Sequence, residues 1–142
     1  MTSERSDALQ RALQRRADLF AAVGRVEMVL AAPTARERWL DDVRHGIAAL
    51  HDALDAHVEI TEGDNGLFAE VIGTAPRLAH QIDALRTEHD EIEQALDELL
   101  HIDDAALLRN AATSVLGRIV RHRQKGADLL YDAYNVDVGE LD

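Results

Sequence analysis

The sequence predicts an all-α protein, an antiparallel up-down four-helix bundle, and three observations carry that expectation. The 142 residues include only two prolines and are rich in Ala, Leu, Asp, Glu and Arg, a composition that favours long helices over sheets. Apolar residues recur at steps of three and four through several long segments, which keeps them on one helical face. Short connectors rich in Pro, Gly and Asx residues separate those segments, so successive helices reverse direction. The length fits a single domain, residues 1–142, with one hydrophobic core.

The first helix is expected over residues 3–31. Thr2 or Ser3 can cap it, while Glu4 and Asp7 favour its positive end. Leu9, Leu13, Phe20, Val23, Val26 and Leu30 mark its core side, and Arg5, Arg11, Arg15 and Arg25 a solvated face. Pro33 and Thr34 form the first turn, with Thr34 and Glu37 as a capping box for a second helix over 35–62. Trp39 lies beside that helix's stripe and closes an end of the core.

The run Gly63-Asp64-Asn65-Gly66 interrupts the second helix. It is either a plain loop or a device that turns Glu62 and Asp64 inward, and a short helix over 67–72 comes after it. Gly73-Thr74-Ala75-Pro76 makes the second turn, Thr74 being the cap and Pro76 lying in the first turn of a third long helix, 76–100. Asp103 or Asp104 starts the fourth, 104–134, and the tail 135–142 is acidic.

Formal net charge is −12, which argues against a broad phosphate-binding surface and hence against nucleic acid as a partner. The absence of cysteine leaves only nitrogen and oxygen for any metal. No apolar run approaches the ~20 residues of a membrane span, so a cytoplasmic protein without a membrane partner is expected.

The chemistry lies in three stripes. In the second helix the stripe is Leu40, Val43, Ile47, Leu50, Leu54, His57; in the third, Leu78, Ile82, Leu85, His89, Ile92, Leu96, Leu99; in the fourth, Leu108, Ala112, Val115, Ile119, His122, Gly126, Leu129. Each places one imidazole where a Leu or Ile would be expected. Residues equidistant from a tight turn lie at the same level of a bundle. Gly73 is midway between His57 and His89, and the midpoint of His89 and His122 falls beside Ala105, both where the helical pattern breaks.

The three imidazoles are therefore expected to meet in one layer. Facing each other in a dry core they lack acceptors for their N–H groups, and a divalent cation taking a lone pair from each removes that cost.

Acidic ligands are scarce. Glu93 lies four residues after His89, about 40° round the helix, and so can share its ion. After His57 the equivalent position is Thr61, with Glu62 next; after His122 it is Gly126. Asp18 is on a flank of the first helix and Glu27 lies toward its turn. The expected ligands are His57, His89, His122, Glu62 and Glu93, holding one divalent metal, iron ahead of zinc, or none. His45, His51, His80 and His101 fall off or beside the stripes and read as surface or boundary residues. Tyr131 and Tyr134 read as packing for the bundle end, and Ser114 has no base near it.

Three stretches resemble the hemerythrin-like, or HHE cation-binding, family: His57-Val-Glu-Ile-Thr-Glu62 with Leu67-Phe68 after it, Arg86-Thr-Glu-His89-Asp-Glu-Ile92, and His122 with Leu129-Leu130-Tyr131 after it. The resemblance covers residues 11–134. It implies an up-down four-helix bundle and, in metal-bearing members, a non-haem di-iron centre that binds or senses dioxygen or related species. The chain departs from the pattern where the family places a first-helix histidine, since Arg16 or Ala17 stands there, and where Thr61 and Gly126 replace glutamates. The resemblance thus carries over His57, His89 and His122 but not a complete di-iron site.

Two alternatives stay open. One is a metal-free helical interaction module, which Arg16 inserted among the imidazoles would support. The other is a metal-dependent enzyme similar to DinB-like three-histidine bundles, weakened by glycine at residue 126. Expected partners are the metal ion with water or a small diatomic ligand, and a homodimer is also open.

Overall fold

The computed structural model describes residues 6–135. It is all-helical, with no strand among the described residues: α1 (Asp7–Ala31), α2 (Trp39–Glu62), the short α3 (Leu67–Thr74), α4 (Ala79–Leu99) and α5 (Ala105–Tyr134). One 3-10 turn, Pro76–Leu78, precedes α4. The four long helices share one interior, in which α1 packs mainly on α2 and α4 mainly on α5, with α2 against α4. No helix among the described residues is long and apolar enough to cross a membrane.

The expected caps Thr2 and Ser3 lie outside the described residues. Here α1 begins at Asp7, where Ser6 is the N-cap and its hydroxyl accepts from the Leu9 amide at 3.1 Å. The buried stripe of α1 is Leu9, Ala12, Arg16, Leu19, Val23, Val26 and Leu30, an unbroken alternation of three- and four-residue steps. Leu13 and Phe20, expected at its centre, are half-buried flanking residues.

The start of the second helix differs from expectation. Residues 34–38 form turns, and α2 begins only at Trp39, with no side-chain cap and hence no Thr34–Glu37 capping box. Packing overrides the local signal: the Trp39 indole, buried against the end of α1, donates to the Val29 carbonyl at 3.0 Å. Arg109 of α5 lies over the same indole, 5.3 Å from its ring centre, and donates to the Ala32 carbonyl at 2.5 Å. Trp39 thus closes this end of the core, as the sequence predicts.

The second connection also departs from expectation. Helix α3 extends to Thr74, so Gly73 is helical, and Thr74 does not cap α4. Its hydroxyl donates back to the Glu70 and Val71 carbonyls at 3.3 and 3.4 Å. Pro76 opens the 3-10 turn instead of α4, which starts three residues later than predicted. Asp104 caps α5 as expected, accepting from the Leu107 amide at 2.9 Å. Asn135, with φ 55°, ends it in the left-handed region.

The 63–66 loop owes its glycines to crowding, because all φ values there are negative. A Cβ on Gly63 would lie 2.7 Å from the Glu59 carbonyl oxygen, and one on Gly66 would overlap the Ile60 carbonyl oxygen. Gly24, inside α1, has nothing within 4 Å of an added Cβ. Gly24→Ala should therefore stabilise the fold by about 0.5–1 kcal/mol by removing unfolded-state freedom, whereas Gly66→Ala should destabilise it. Urea denaturation of both variants checks the pair of signs.

Candidate metal centre

The interior divides into two apolar clusters. One contains Leu19, Leu54, Ile92 and Ile119; the other contains Ala12, Phe68, Leu85 and Leu129. At the boundary each long helix contributes one polar residue from its buried stripe or beside it: Arg16, His57, His89 and His122. The sequence spacing sets the three histidines at one level, and the structure brings them together.

Ring centres of His57 and His89 are 5.1 Å apart, of His89 and His122 4.7 Å, and of His57 and His122 6.4 Å. One ring nitrogen from each histidine lies within 4.8 Å of the other two. Tetrahedral Zn–N geometry needs nitrogens about 3.4 Å apart, so roughly an ångström of side-chain rotation closes the set. Phe68 of α3 stacks on His89, with centres 6.1 Å apart and planes 10° from parallel, and limits its tilt.

Carboxylates hold one nitrogen each of His89 and His122. His89 Nδ1 is 2.6 Å from Glu62 Oε2, and His122 Nδ1 is 3.2 Å from Glu88 Oε2. Lys125 donates to the other Glu88 oxygen at 2.5 Å. A neutral imidazole fills such a contact as an Nδ1–H donor, which leaves Nε2 as a lone pair facing inward. His89 Nε2 and His57 Nδ1 are both buried and have no hydrogen-bond partner. Buried orphan nitrogens of this kind are what a cation would satisfy.

Burial keeps the rings neutral. Desolvation, reinforced by His122 and Arg16, pushes the His57 pKa down to about 3. The same effect, with His122 and His57 as neighbours, pushes His89 down to about 2. Desolvation also lowers His122, against the opposing pull of Glu88. Desolvation acts to raise the Glu88 carboxyl, but its hydrogen bonds to Lys125 and His122 outweigh that and hold it below the usual range. Glu62 is raised, chiefly by desolvation.

The structure groups the three predicted histidines but leaves the two predicted carboxylates outside that group. Glu62 is engaged with Nδ1 of His89, a contact that orients the imidazole. Glu93 is not in the layer at all. It faces the seam between α2 and α4, 3.8 Å from His51 Nε2, and a hydrogen bond to Asp55 is the main cause that raises its carboxyl to about 6. His51 is accordingly a half-buried partner of Asp55 and Asp97, at 3.3 and 3.1 Å. The 40° step round the helix that favoured Glu93 carries it past the layer onto this seam. His45, His80 and His101 are exposed, as expected, and so is Ser114.

Glu88 is a residue that the stripes do not predict. It precedes His89 and sits off the apolar face, but 105 is midway between 88 and 122, which puts it level with the ring it holds. Thr61, standing where a glutamate would be useful, is buried with its hydroxyl donated to the His57 carbonyl at 2.9 Å. Arg16 is buried, lies 5.1 Å over the Phe20 ring centre, and donates to the Arg123 carbonyl at 3.4 Å.

The three histidines, Thr61 and Arg16 line a cavity of about 40 Å³, walled also by Leu19, Phe20, Phe68, Ile119, Leu129 and Gly126. A water needs roughly 10–15 Å³ of such space, so the cavity suits a ligand of a few atoms. Gly126 has nothing within 4 Å of an added Cβ, which leaves that wall free of side chain. Compared with known proteins, the chain matches no family model, no curated protein and no solved structure.

The depressed histidines link stability to pH. Unfolding returns each ring to a pKa near 6.5, so the unfolded chain binds more protons below that value. Stability is then complete above about pH 6.5 and falls as pH drops toward 3, by up to about 1.4 kcal/mol per unit for each ring that stays neutral. Urea midpoints measured with chelator from pH 7 to 4.5 should fall steeply in the wild type and less so in His57→Leu.

Proposed function

We propose that the chain is a hemerythrin-like, up-down four-helix bundle that binds one divalent transition-metal ion through His57, His89 and His122. The observation that carries this reading is the pair His57 Nδ1 and His89 Nε2, buried and without hydrogen-bond partners, in a layer where Glu62 and Glu88 hold Nδ1 of His89 and of His122. Three neutral imidazoles suit iron(II) or zinc, with iron favoured by the resemblance of the motifs around His57, His89 and His122. A single ion is favoured over two, because both nearby carboxylates are engaged on outer nitrogens and neither is left to bridge. The fourth position would face the cavity, where water, dioxygen or a related small species can reach the ion.

A second reading is favoured by Arg16. Its guanidinium lines the same cavity, and its charge acts on His57 and His122. A fixed positive charge there can replace the cation and leave a metal-free helical interaction module. The enzyme reading gains nothing specific, since Gly126 supplies no second ligand on α5.

Metal analysis separates the two. Protein produced in medium supplemented with iron and zinc should carry close to one equivalent of metal, and His89→Ala less than about 0.2. Glu62→Gln should retain the site but bind about 10–100-fold more weakly, as expected for loss of an orienting carboxylate. Wild-type protein with less than about 0.2 equivalents, unchanged by His89→Ala, favours the metal-free module.

A further inference from the structure

Of the 15 lysine and arginine residues in the chain, Lys125 alone is lysine. The ion pairs Arg15–Asp18, Arg44–Asp103 and Arg118–Glu91 all use arginine. At position 125 arginine could meet Glu88 with two parallel donors, where lysine offers a point charge. What lysine alone brings is an amine that can act as a nucleophile.

This amine stands where a change of charge reaches the histidine layer. The Lys125 side chain is 61% exposed and donates at 2.5 Å to one oxygen of Glu88, whose other oxygen holds His122 Nδ1 at 3.2 Å. Arg118, Arg121 and Lys125 follow one another at three- and four-residue steps on one face of α5. With Glu88, Glu91 and Ile92 they line a surface recess of about 180 Å³. Arg118 pairs with Glu91 at 3.0 Å and Lys125 with Glu88, so both carboxylates of the recess are taken. Arg121 is left to a negative group from outside, such as a phosphate, next to the amine.

We propose that Lys125 is an acylation site, modified by a small acyl phosphate seated in this recess with its phosphate on Arg121, and that the modification weakens metal binding by releasing Glu88. The second half rests on the metal-binding reading above. In the reaction the ammonium first gives one proton to solvent. The Nζ lone pair then attacks the carbonyl carbon: a C–N bond forms, the C–O bond to phosphate breaks, and phosphate leaves with that electron pair. A second proton passes from nitrogen to solvent, and one hydrogen stays on the amide. The product is neutral, so the Glu88 carboxylate loses the cation that holds it beside His122. A metal-binding imidazole that loses its orienting carboxylate binds about 10–100-fold more weakly.

The test uses acetyl phosphate with the wild type, Arg121→Gln and Lys125→Arg, and with Nα-acetyl-lysine amide as the reference amine. Intact mass and peptide mapping follow the product, since Lys125 is the only side-chain amine. Wild-type Lys125 should be acetylated at least about tenfold faster than the reference, with inorganic phosphate competing, and Arg121→Gln should react near the reference rate. Lys125→Arg, acetylated only at the chain's amino group, serves as the control for that group. A wild-type rate equal to the reference, or one indifferent to Arg121→Gln, overturns the site. Acetylated wild type should bind cobalt(II) about tenfold or more weakly than before, and with chelator its His122 ring nitrogen resonances should move. Unchanged affinity or unchanged resonances overturns the link to the layer. Should the unmodified protein bind no cobalt, the metal reading falls, while the acetylation rates and the His122 resonances still decide this proposal.

Discussion

Four polar side chains, one from each long helix, occupy a single level of the interior, and the cost of keeping them out of water governs the fold around them. Arg16, His57, His89 and His122 interrupt a core that would otherwise be continuous, dividing it into two apolar clusters. A packed Leu at any of these positions would avoid the desolvation that depresses all three histidines. Glu62 and Glu88, the latter held by Lys125, nonetheless take up Nδ1 of His89 and of His122, while His57 Nδ1 and His89 Nε2 are buried without hydrogen-bond partners.

Much of this is legible in the sequence because helical periodicity and turn position are both local signals. Counting back from Gly73 and Ala105 sets the three histidines level, and the structure agrees even though Gly73 itself is helical and the reversal falls at Ala75. Level depends on the total path between two residues, so small shifts of a turn within that path leave it nearly unchanged. Helix starts are less legible. Thr34 and Glu37 have the chemistry of a capping box, but Trp39 gains more by burial against α1, and such long-range packing leaves no mark in a short window.

The carboxylates show the same limit from another side. Spacing alone favours Glu93 as the partner of His89, yet the true partners are Glu62 from the end of α2 and, for His122, Glu88 from α4. A second helix decides which flank of a stripe faces a neighbour, and nothing in one helix's own sequence contains that choice. Arg16 is readable in principle. Its stripe keeps strict three-four alternation only if the arginine is included, whereas the more conspicuous Leu13 and Phe20 mark a face that proves half-buried.

At the end of the bundle that holds the cluster of Ala12, Phe68, Leu85 and Leu129, Ser6 and Tyr134 both donate to the same carboxylate oxygen of Glu70, Ser6 at 2.7 Å. The N-cap of α1 and the last residue of α5 are thereby clasped to the short helix α3, which also carries the Phe68 that stacks on His89. Helix ends are ordinarily where a chain frays first. Here fraying at either end removes a partner from the other's shared acceptor and loosens the floor on which an imidazole rests, so local breathing of the terminal turns is transmitted to the polar layer through a single acidic residue.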